Sequence, residues 1–348
     1  MHKQLGGHAG ARVECGAVDG MLHQDHKRCR VTEPTQPHDK LFKGLLDQPG
    51  TAGALLRERL PAEISNLLTD DPPELLDGEF IDEALQGSQS DRLFRASLKG
   101  GGDVLLYVLI DHKSYPEPGI ILQLLGYMLR IWLRYSGGKA EALRSLPPIL
   151  PMVVYHGASE WKVSLSLRDT INTPEAIKHY QPDVRYTLVD LGPIPNDRLS
   201  AFPPLRAGLL ALKYSHQEGD AEAVLVQAFT DARDTPSLFK MLVVYATTVY
   251  ASVNPILLRR AIHKVRPEWE DEMLSIAAKE WMAEGAAKGK ADGKADTLQR
   301  QLLRRFKIVS PDIEHRIRTA DADQLDEWLD RFVDAKSLDD VFGTEPRH

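Results

Sequence analysis

Two aspartates and a lysine in the first third of the chain have the residue types of a hydrolytic centre. Asp91 is followed twenty residues later by Asp111, and Lys113 comes two residues after Asp111. Two facing carboxylates repel each other unless a cation lies between them, and carboxylate oxygens are typical Mg²⁺ ligands. Such an ion stabilises charge on a phosphate and activates water, while a lysine can orient or deprotonate that water. A surface ion pair at a strand end is the alternative interpretation.

The residues between the aspartates predict a β-hairpin that would bring the two carboxylates together. Segment 92–98 and the apolar run 104–110 flank a glycine-rich turn, a composition typical of two paired strands. A turn centred on Gly101 pairs residues whose numbers add to about 202, which places Asp91 across from Asp111. Because side chains alternate along a strand, the lysine two residues later would share that face.

A helix is predicted after the second strand, from Pro118 to Tyr135. Its apolar residues recur at helical spacing, and Gln123 and Tyr127 lie one turn apart on another side. The two polar side chains can therefore reach toward one site together. The alternative is that Tyr127 packs in the core and Gln123 makes a local hydrogen bond.

These residues and several flanking motifs resemble a known group of nucleases. Asp91, Asp111-His112-Lys113 and Gln123-Leu-Leu-Gly-Tyr127 are similar, in order and spacing, to the D, (D/E)-x-K and Q-x-x-x-Y motifs of the PD-(D/E)XK phosphodiesterase superfamily. The other matching segments are Pro37-His38-Asp39-Lys40-Leu41-Phe42-Lys43, Leu60-Pro61-Ala62-Glu63, Leu109-Ile110-Asp111-His112-Lys113-Ser114, Leu122 to Trp132 and Pro151-Met152-Val153-Val154-Tyr155-His156-Gly157. Over residues 37 to 265 the chain resembles the Rpn family of recombination-promoting nucleases, also called transposases.

The resemblance implies a fold class, a reaction and roles for the named residues. The fold class is α/β, a restriction-endonuclease-like core with a mixed central sheet flanked by helices, then a helical region. The expected activity is that of a divalent-metal-dependent DNA endonuclease, which would use Mg²⁺, with Mn²⁺ or Ca²⁺ as alternatives, and would promote recombination or serve a mobile element. Asp91 and Asp111 would bind the metal, Lys113 would act on the attacking water, and Gln123 and Tyr127 would position the substrate. Ser90 stands where the superfamily motif has proline.

Several alternatives stay open beside that reading. Glu63 and Glu79 are alternative acidic ligands of the metal, and Lys40 and Lys43 could contact DNA phosphates or form a solvated helix face. The chain could also be a catalytically inactive nuclease fold that binds nucleic acid or protein. An RNA-directed nuclease shares the same chemistry and differs in requiring the 2′-hydroxyl or single strands.

Four regions are predicted along the chain. A disordered leader covers residues 1–36, a nuclease-like domain with a helical extension covers 37–265, a charged glycine-repeat helical linker covers 266–297, and a small helical module covers 298–348. Within the second region we expect a helix from Asp39, as N-cap, to Leu60, interrupted at Asp47-Gln48-Pro49-Gly50. Strands are predicted at 149–155 and 186–191, with helices from 199 to 265.

Composition excludes some classes of protein. The chain has 348 residues and 43% hydrophobic content, and this length and content are enough to bury a substantial core. Its net charge is −7. It contains no uncharged apolar run of about eighteen residues, so no membrane span is expected. The two cysteines, Cys15 and Cys29, lie in the leader, and a cytoplasmic location is the simpler inference.

The glycine-repeat linker combines small residues with basic charge. Gly285, Gly289 and Gly293 recur every four residues and would form one stripe on a helix. Self-association through that stripe and a passive tether are the two interpretations. Residues 279–307 carry eight basic and four acidic side chains, so a local basic surface for DNA is compatible with an acidic chain. The basic residues proposed for that surface are Lys288, Lys290, Lys294, Arg300, Arg304 and Arg305.

Overall fold

A computed structural model gives the structure of seven parts of the chain. They are residues 37–76, 92–111, 117–137, 144–216, 220–307, 310–320 and 322–343, with the backbone alone for 109–111, 284, 287, 288, 311 and 322. They fall into two compact units, one within Thr35–Asp292 and the other within Gly293–His348. The first unit is built on a mixed five-stranded sheet flanked by helices, so the predicted α/β class is confirmed. The predicted leader lies outside the described residues.

The helices and strands follow each other in an order typical of an α/β protein. The strands are β1 (Glu74–Leu75), β2 (Arg92–Ser97), β3 (Asp103–Asp111), β4 (Ile149–Tyr155) and β5 (Thr187–Asp190). The helices of the first unit are α1 (Pro37–Leu46), α2 (Thr51–Arg59), α3 (Ala62–Ser65), α4 (Ile120–Ser136), α5 (Leu167–Thr170), α6 (Pro203–Lys213), α7 (Ala221–Ala232), α8 (Pro236–Val249) and α9 (Pro255–Val265). Helix α10 (Glu270–Phe306) continues into the second unit, which also contains α11 (Pro311–Thr319), α12 (Ala322–Asp334) and α13 (Leu338–Phe342).

Helix α1 begins two residues earlier than predicted, so Asp39 is not its N-cap. The helix starts at Pro37, and Asp39 is its third residue, with only 3% of its surface exposed. Proline suits the first helical position because its missing N–H would have no partner there. The carboxylate of Asp39 still lies in the first turn, where the helix dipole favours negative charge. The predicted break before α2 is present, and Gly50 in it has a φ of 83°.

The five strands lie in the order β1-β2-β3-β4-β5. The first three pair antiparallel, whereas β3–β4 and β4–β5 pair parallel. One face packs on α1, α2 and the helices α6 to α9 through residues such as Leu106 and Met152. The other face packs on α4 through residues such as Tyr107 and Val153. The sheet is thus the middle layer of three, which explains why β3 and β4 are almost wholly apolar.

The predicted register of the β2–β3 hairpin is wrong by two residues. The observed pairs, such as Arg92 with Val108, have numbers that add to 200. The Leu98 carbonyl accepts from the Gly101 amide, and the Leu98 amide donates to the Gly102 carbonyl, so the loop is centred one residue earlier than predicted. Gly101 has a φ of 88°, and a left-handed glycine at this position is typical of a three-residue hairpin loop with a bulge.

Helix α4 connects the parallel strands β3 and β4. A parallel pair requires such a crossover, since the chain must return to the other end of the sheet. Its buried residues are Ile120, Ile121, Leu124, Tyr127, Met128, Ile131 and Ser136, whose spacing forms one helical face. Gly137 ends the helix with a φ of 54°, the left-handed conformation that favours glycine.

Helices α6 to α9 extend the core beyond the sheet, as the predicted helical region required. Phe229 of α7 stacks on Phe239 of α8, with ring centroids 4.6 Å apart. Two of the helices carry side-chain N-caps, since Asp220 accepts from the Ala223 amide and Asn254 from the Ile256 amide. No helix among the described residues is both long and apolar enough to cross a membrane.

The second unit has its own small core. Leu302, Ile317, Leu325 and Phe342 are buried there, and Ser337 caps α13 in a capping box with Asp340.

The glycines at 285, 289 and 293 lie along α10, where an added Cβ at any of them meets no atom within 4 Å. Self-association through that stripe stays a prediction.

Gly208 gives a test of the packing between α6 and α1. A Cβ on Gly208 would lie 2.4 Å from Leu45 Cδ2 and 2.9 Å from Leu45 Cγ, and Leu45 is fully buried. We therefore expect Gly208→Ala to lower the free energy of unfolding by about 1–3 kcal/mol through overpacking. Urea denaturation would measure this. The matched control is Gly289→Ala, where the open surroundings and the better helix propensity predict a gain of up to about 1 kcal/mol. Equal effects in both variants would contradict the packing argument.

Candidate functional site

The candidate site lies at the carboxyl edge of three parallel strands. Asp111 ends β3 and pairs with Tyr155, which ends β4, and Tyr155 pairs with Asp190, which ends β5. In open α/β sheets, ligands bind just outside this edge. Asp91, Lys113 and Glu79 lie outside the described residues. The structure thus places Asp111 in the backbone row that forms this edge.

The helix-borne pair of polar residues packs against the same strand. The Gln123 amide nitrogen donates to the Tyr127 hydroxyl at 3.0 Å. Tyr127 is buried, and its ring lies 5.1 Å, centroid to centroid, from the ring of Tyr107 on β3. The local hydrogen bond of Gln123 and the packing of Tyr127 in the core are therefore both present. They hold the hydroxyl and the exposed amide in a defined place above the strand.

The direction of α4 places Gln123 toward Asp111. Because β3 and β4 are parallel, α4 runs back along the sheet from the carboxyl edge. At its far end the Tyr135 hydroxyl accepts from Arg95, a residue paired with Leu105 near the start of β3. Gln123 lies one turn nearer the start of α4 than Tyr127, so it lies nearer the edge where Asp111 ends the strand.

The structure does not bring Glu63 to this edge. Glu63 is exposed on α3, and the turn after α3 contacts the opposite end of the hairpin, where the Lys99 amide donates to the Leu67 carbonyl. Eight residues of extended chain separate Asp103 from Asp111, which is roughly 26 Å at about 3.3 Å per residue. A carboxylate on α3 is too distant to share an ion with Asp111.

The start of α1 does lie near the carboxyl edge. His38 in its first turn is 4.8 Å, centroid to centroid, from His156, the residue that follows β4. Lys40 is exposed in the next positions of α1, and Lys43 is half-buried. Their placement is compatible with phosphate contacts near the site, and that role stays a prediction.

Sequence reasoning missed a cluster of three histidines beside this edge. The rings of His38, His156 and His216 lie within 5.5 Å of one another, and His38 Nδ1 is 2.8 Å from the Tyr245 hydroxyl. Burial raises the pKa of Tyr245 well above its usual value, so the phenol keeps its proton. The segments 37–43 and 151–157 of the sequence each contain one of these histidines. His38 and His156 are 118 positions apart, so the sequence does not indicate that they meet.

Asp190 is a second residue that the sequence alone did not single out. Burial raises the pKa of its carboxyl, although the Gly192 amide donates to Oδ1 at 3.0 Å and opposes that effect. A half-buried carboxylate at a strand end destabilises the fold when it is ionised. Such a cost is common where a polar group serves a site.

The donor chemistry of the site suits a hard cation. The predicted ligands, Asp91 and Asp111, supply carboxylate oxygens, which Mg²⁺ and Mn²⁺ prefer. Within the described part of the chain, no group of three His, Cys, Asp or Glu side chains is arranged to hold a metal. The three histidines therefore do not form such a group, and a metal site at Asp91 and Asp111 stays a prediction.

Comparisons with known proteins point to one family. The family profile described as "Putative transposase, YhgA-like" matches residues 36–239. The chain is 30% identical over 181 residues to recombination-promoting nuclease RpnD of Escherichia coli O157:H7, covering 52% of this chain and 67% of that protein. It is 28% identical over 198 residues to RpnC of E. coli K12, covering 56% and 64%.

A third relative has a different description. The chain is 27% identical over 223 residues to the inactive recombination-promoting nuclease-like protein RpnE of E. coli K12, covering 61% of this chain and 72% of that protein. The chain thus spans about two thirds of the length of these relatives. No solved structure matches it.

The raised pKa of Asp190 predicts a pH-dependent stability difference. The folded carboxyl binds its proton more tightly than the unfolded one, so ionisation lowers the free energy of unfolding as pH rises past the unfolded value, about 3.9. We expect Asp190→Asn to unfold at higher urea concentration than the natural protein at pH 7, with the difference shrinking toward pH 3. Asparagine retains an acceptor for the Gly192 amide. A variant that is less stable at pH 7 would contradict the argument.

Proposed function

Because the chain belongs to the YhgA-like transposase family, which includes the Rpn recombination-promoting nucleases, we propose that it is a divalent-metal-dependent DNA endonuclease. It would hydrolyse phosphodiester bonds and promote recombination or serve a mobile element. One observation carries the proposal: Asp111 ends a parallel strand, and α4, which covers that strand, carries the hydrogen-bonded pair Gln123 and Tyr127 with Gln123 nearer the carboxyl edge.

The two aspartates and the lysine would form the reactive part of the site. Asp91 and Asp111 would hold Mg²⁺, with Mn²⁺ or Ca²⁺ as alternatives. When bound, the cation supplies Lewis-acid stabilisation of phosphate charge and lowers the pKa of an attacking water. Lys113 would orient that water or accept its proton, which requires a neutral amine, or stabilise the developing negative charge as an ammonium.

Gln123 and Tyr127 would position the substrate. The amide NH₂ of Gln123 donates to the Tyr127 hydroxyl, and the amide oxygen of Gln123 is a hydrogen-bond acceptor. The ring of Tyr127 is held by Tyr107, so the hydroxyl is kept in place before substrate arrives. A preorganised donor is effective because it needs no reorientation during the reaction.

The main rival is a nuclease fold without activity. The similarity to RpnE, described as inactive, favours that rival as much as the similarity to RpnD favours activity. Both aspartates and the lysine are present in this chain, which favours an enzyme. An RNA-directed nuclease uses the same residues and differs in its substrate.

Plasmid nicking tests the proposal. Purified protein would be incubated with supercoiled DNA and Mg²⁺, Mn²⁺, Ca²⁺ or EDTA, and with a matched RNA. We expect metal-dependent nicking of DNA that falls at least about a hundredfold in Asp111→Asn and Lys113→Ala, as when a group stabilising transition-state charge is removed. The matched controls are Asp103→Asn, at the other end of the same strand, and Lys99→Ala in the hairpin turn.

Each other outcome points elsewhere. Nicking that survives both site variants would contradict the assignment of the site. Cleavage of RNA alone would favour the RNA-directed nuclease. Metal-independent DNA binding without cleavage, unchanged in Asp111→Asn, would favour the inactive fold.

The Tyr127 hydroxyl can be tested separately from its ring. Tyr127→Phe keeps the contact with Tyr107 and removes one hydrogen-bonding group, so we expect nicking to fall about 2- to 12-fold, equivalent to about 0.5–1.5 kcal/mol. Tyr135→Phe on the same helix, far from the carboxyl edge, is the control. Equal rates in the natural protein and Tyr127→Phe would show that the hydroxyl does not act on the substrate.

A further inference from the structure

Helix α4 has an apolar face directly opposite its buried face. Leu122, Leu129 and Leu133 are 61%, 53% and 57% exposed. With Gly126 they follow the spacing 4, 3, 4, which forms one continuous seam on a helix. Exposed leucines are ordinary one at a time, but a seam of this kind marks an interaction surface. We call these four residues the α4 seam.

We propose that the α4 seam is the interface of a two-fold symmetric dimer, in which α4 pairs antiparallel with α4 of a second copy. The spacing is self-complementary. When two copies of the seam run in opposite directions and share a centre between residues 127 and 128, Leu122 lies against Leu133 of the partner subunit. It also places Gly126 against Leu129 of the partner subunit. A two-fold interface requires this property, because residue i must meet j while j meets i.

Gly126 would let the two helices approach closely. A Cβ built on Gly126 meets no atom within 4 Å, so nothing in the described part of the subunit requires glycine there. Glycine in a helix interior is unfavourable relative to alanine. In the antiparallel pair the absent side chain makes the hole that receives Leu129 of the partner subunit, which is knobs-into-holes packing.

The two flanks of the seam favour the antiparallel direction. One flank is apolar, with half-buried Leu125 and Trp132, and the other is polar, with exposed Gln123 and Arg130. In an antiparallel pair the apolar flank lies against the apolar flank of the other copy, and the polar flank lies against the polar flank. Leu125 therefore packs on Trp132 of the partner subunit. The Gln123 amide oxygen meets Arg130 of the partner subunit. A parallel pair would set the apolar flank against the polar one.

The dimer would also affect the carboxyl edge, a consequence that rests on the proposed nuclease function. Gln123 would lie both on the polar flank and beside the candidate site. Arg130 of the partner subunit would then add positive charge near the phosphates. Two linked sites would suit cleavage of both DNA strands. The interface itself is tested without any activity measurement.

Sedimentation equilibrium of the full chain tests the interface. We expect a mass near twice 38.9 kDa at micromolar concentration, and a shift to the monomer in Leu129→Glu. The matched control is Leu67→Glu, a leucine with 56% exposure elsewhere in the same unit, which should remain dimeric. Gly126→Lys is the second seam variant. It should give a folded monomer with unchanged or higher thermal stability, so loss of the dimer cannot be attributed to unfolding.

Disulfide trapping tests the direction of the helices, with Cys15 and Cys29 replaced by serine. Mixed Gly126→Cys and Leu129→Cys proteins should form a crosslinked pair on oxidation, whereas Leu129→Cys alone should crosslink much less. Efficient crosslinking of Leu129→Cys to itself would overturn the antiparallel arrangement. A monomeric natural protein, or a dimer that persists in both seam variants, would overturn the interface and indicate that another segment or partner covers the seam.

Discussion

The pairing of β3 with both neighbours is the constraint on which the rest of this structure depends. β3 is antiparallel to β2 on one side and parallel to β4 on the other. The parallel pair forces the chain to cross back over the sheet, so α4 must cover one face, and α1 with the later helices covers the other. The same register places Asp111, Tyr155 and Asp190 in one row, so these three strand ends lie at a single edge of the sheet.

Several buried or half-buried polar groups lie at that edge, and they do not contribute to the apolar packing of the core. Burial raises the pKa of both the Asp190 carboxyl and the Tyr245 phenol, and three imidazoles crowd beside them. The middle of β3 and the whole of β4 are apolar, whereas β1 and β2 carry surface ion pairs, such as Arg95 with Glu74 at 2.9 Å. Polar groups that destabilise a fold usually persist where they act on a ligand. The carboxyl edge therefore differs in character from the apolar middle of the sheet.

Helix α4 links the candidate site to the proposed interface. Its inner face packs on β3 through the ring of Tyr127, while its outer face exposes three leucines. Gln123 lies between these faces and contacts Tyr127. A rigid helix that serves the core, the site and a second subunit would couple the position of one site to the presence of another copy. This coupling requires no conformational change.

Much of the fold was predictable because it depends on local pattern. The continuous apolar run identified β4 with its observed bounds, and the helical period located α4 and the region of α6 to α9. The motif residues Asp111, Gln123 and Tyr127 were identified from spacing and family resemblance. Tertiary structure decided the rest. The hairpin register depended on which glycine took the left-handed conformation, and a run of three glycines does not specify that.

Asp39 became buried in the first turn of α1, and Glu63 was placed at the far end of the sheet, because packing partners distant in sequence set both positions. The histidine cluster and the row containing Asp190 likewise join residues separated by dozens of positions. The spacing of the leucines was visible in the sequence, but only the packing of α4 on the sheet showed which of its faces remains exposed. Local sequence determines the elements, whereas long-range contacts determine which side chains meet.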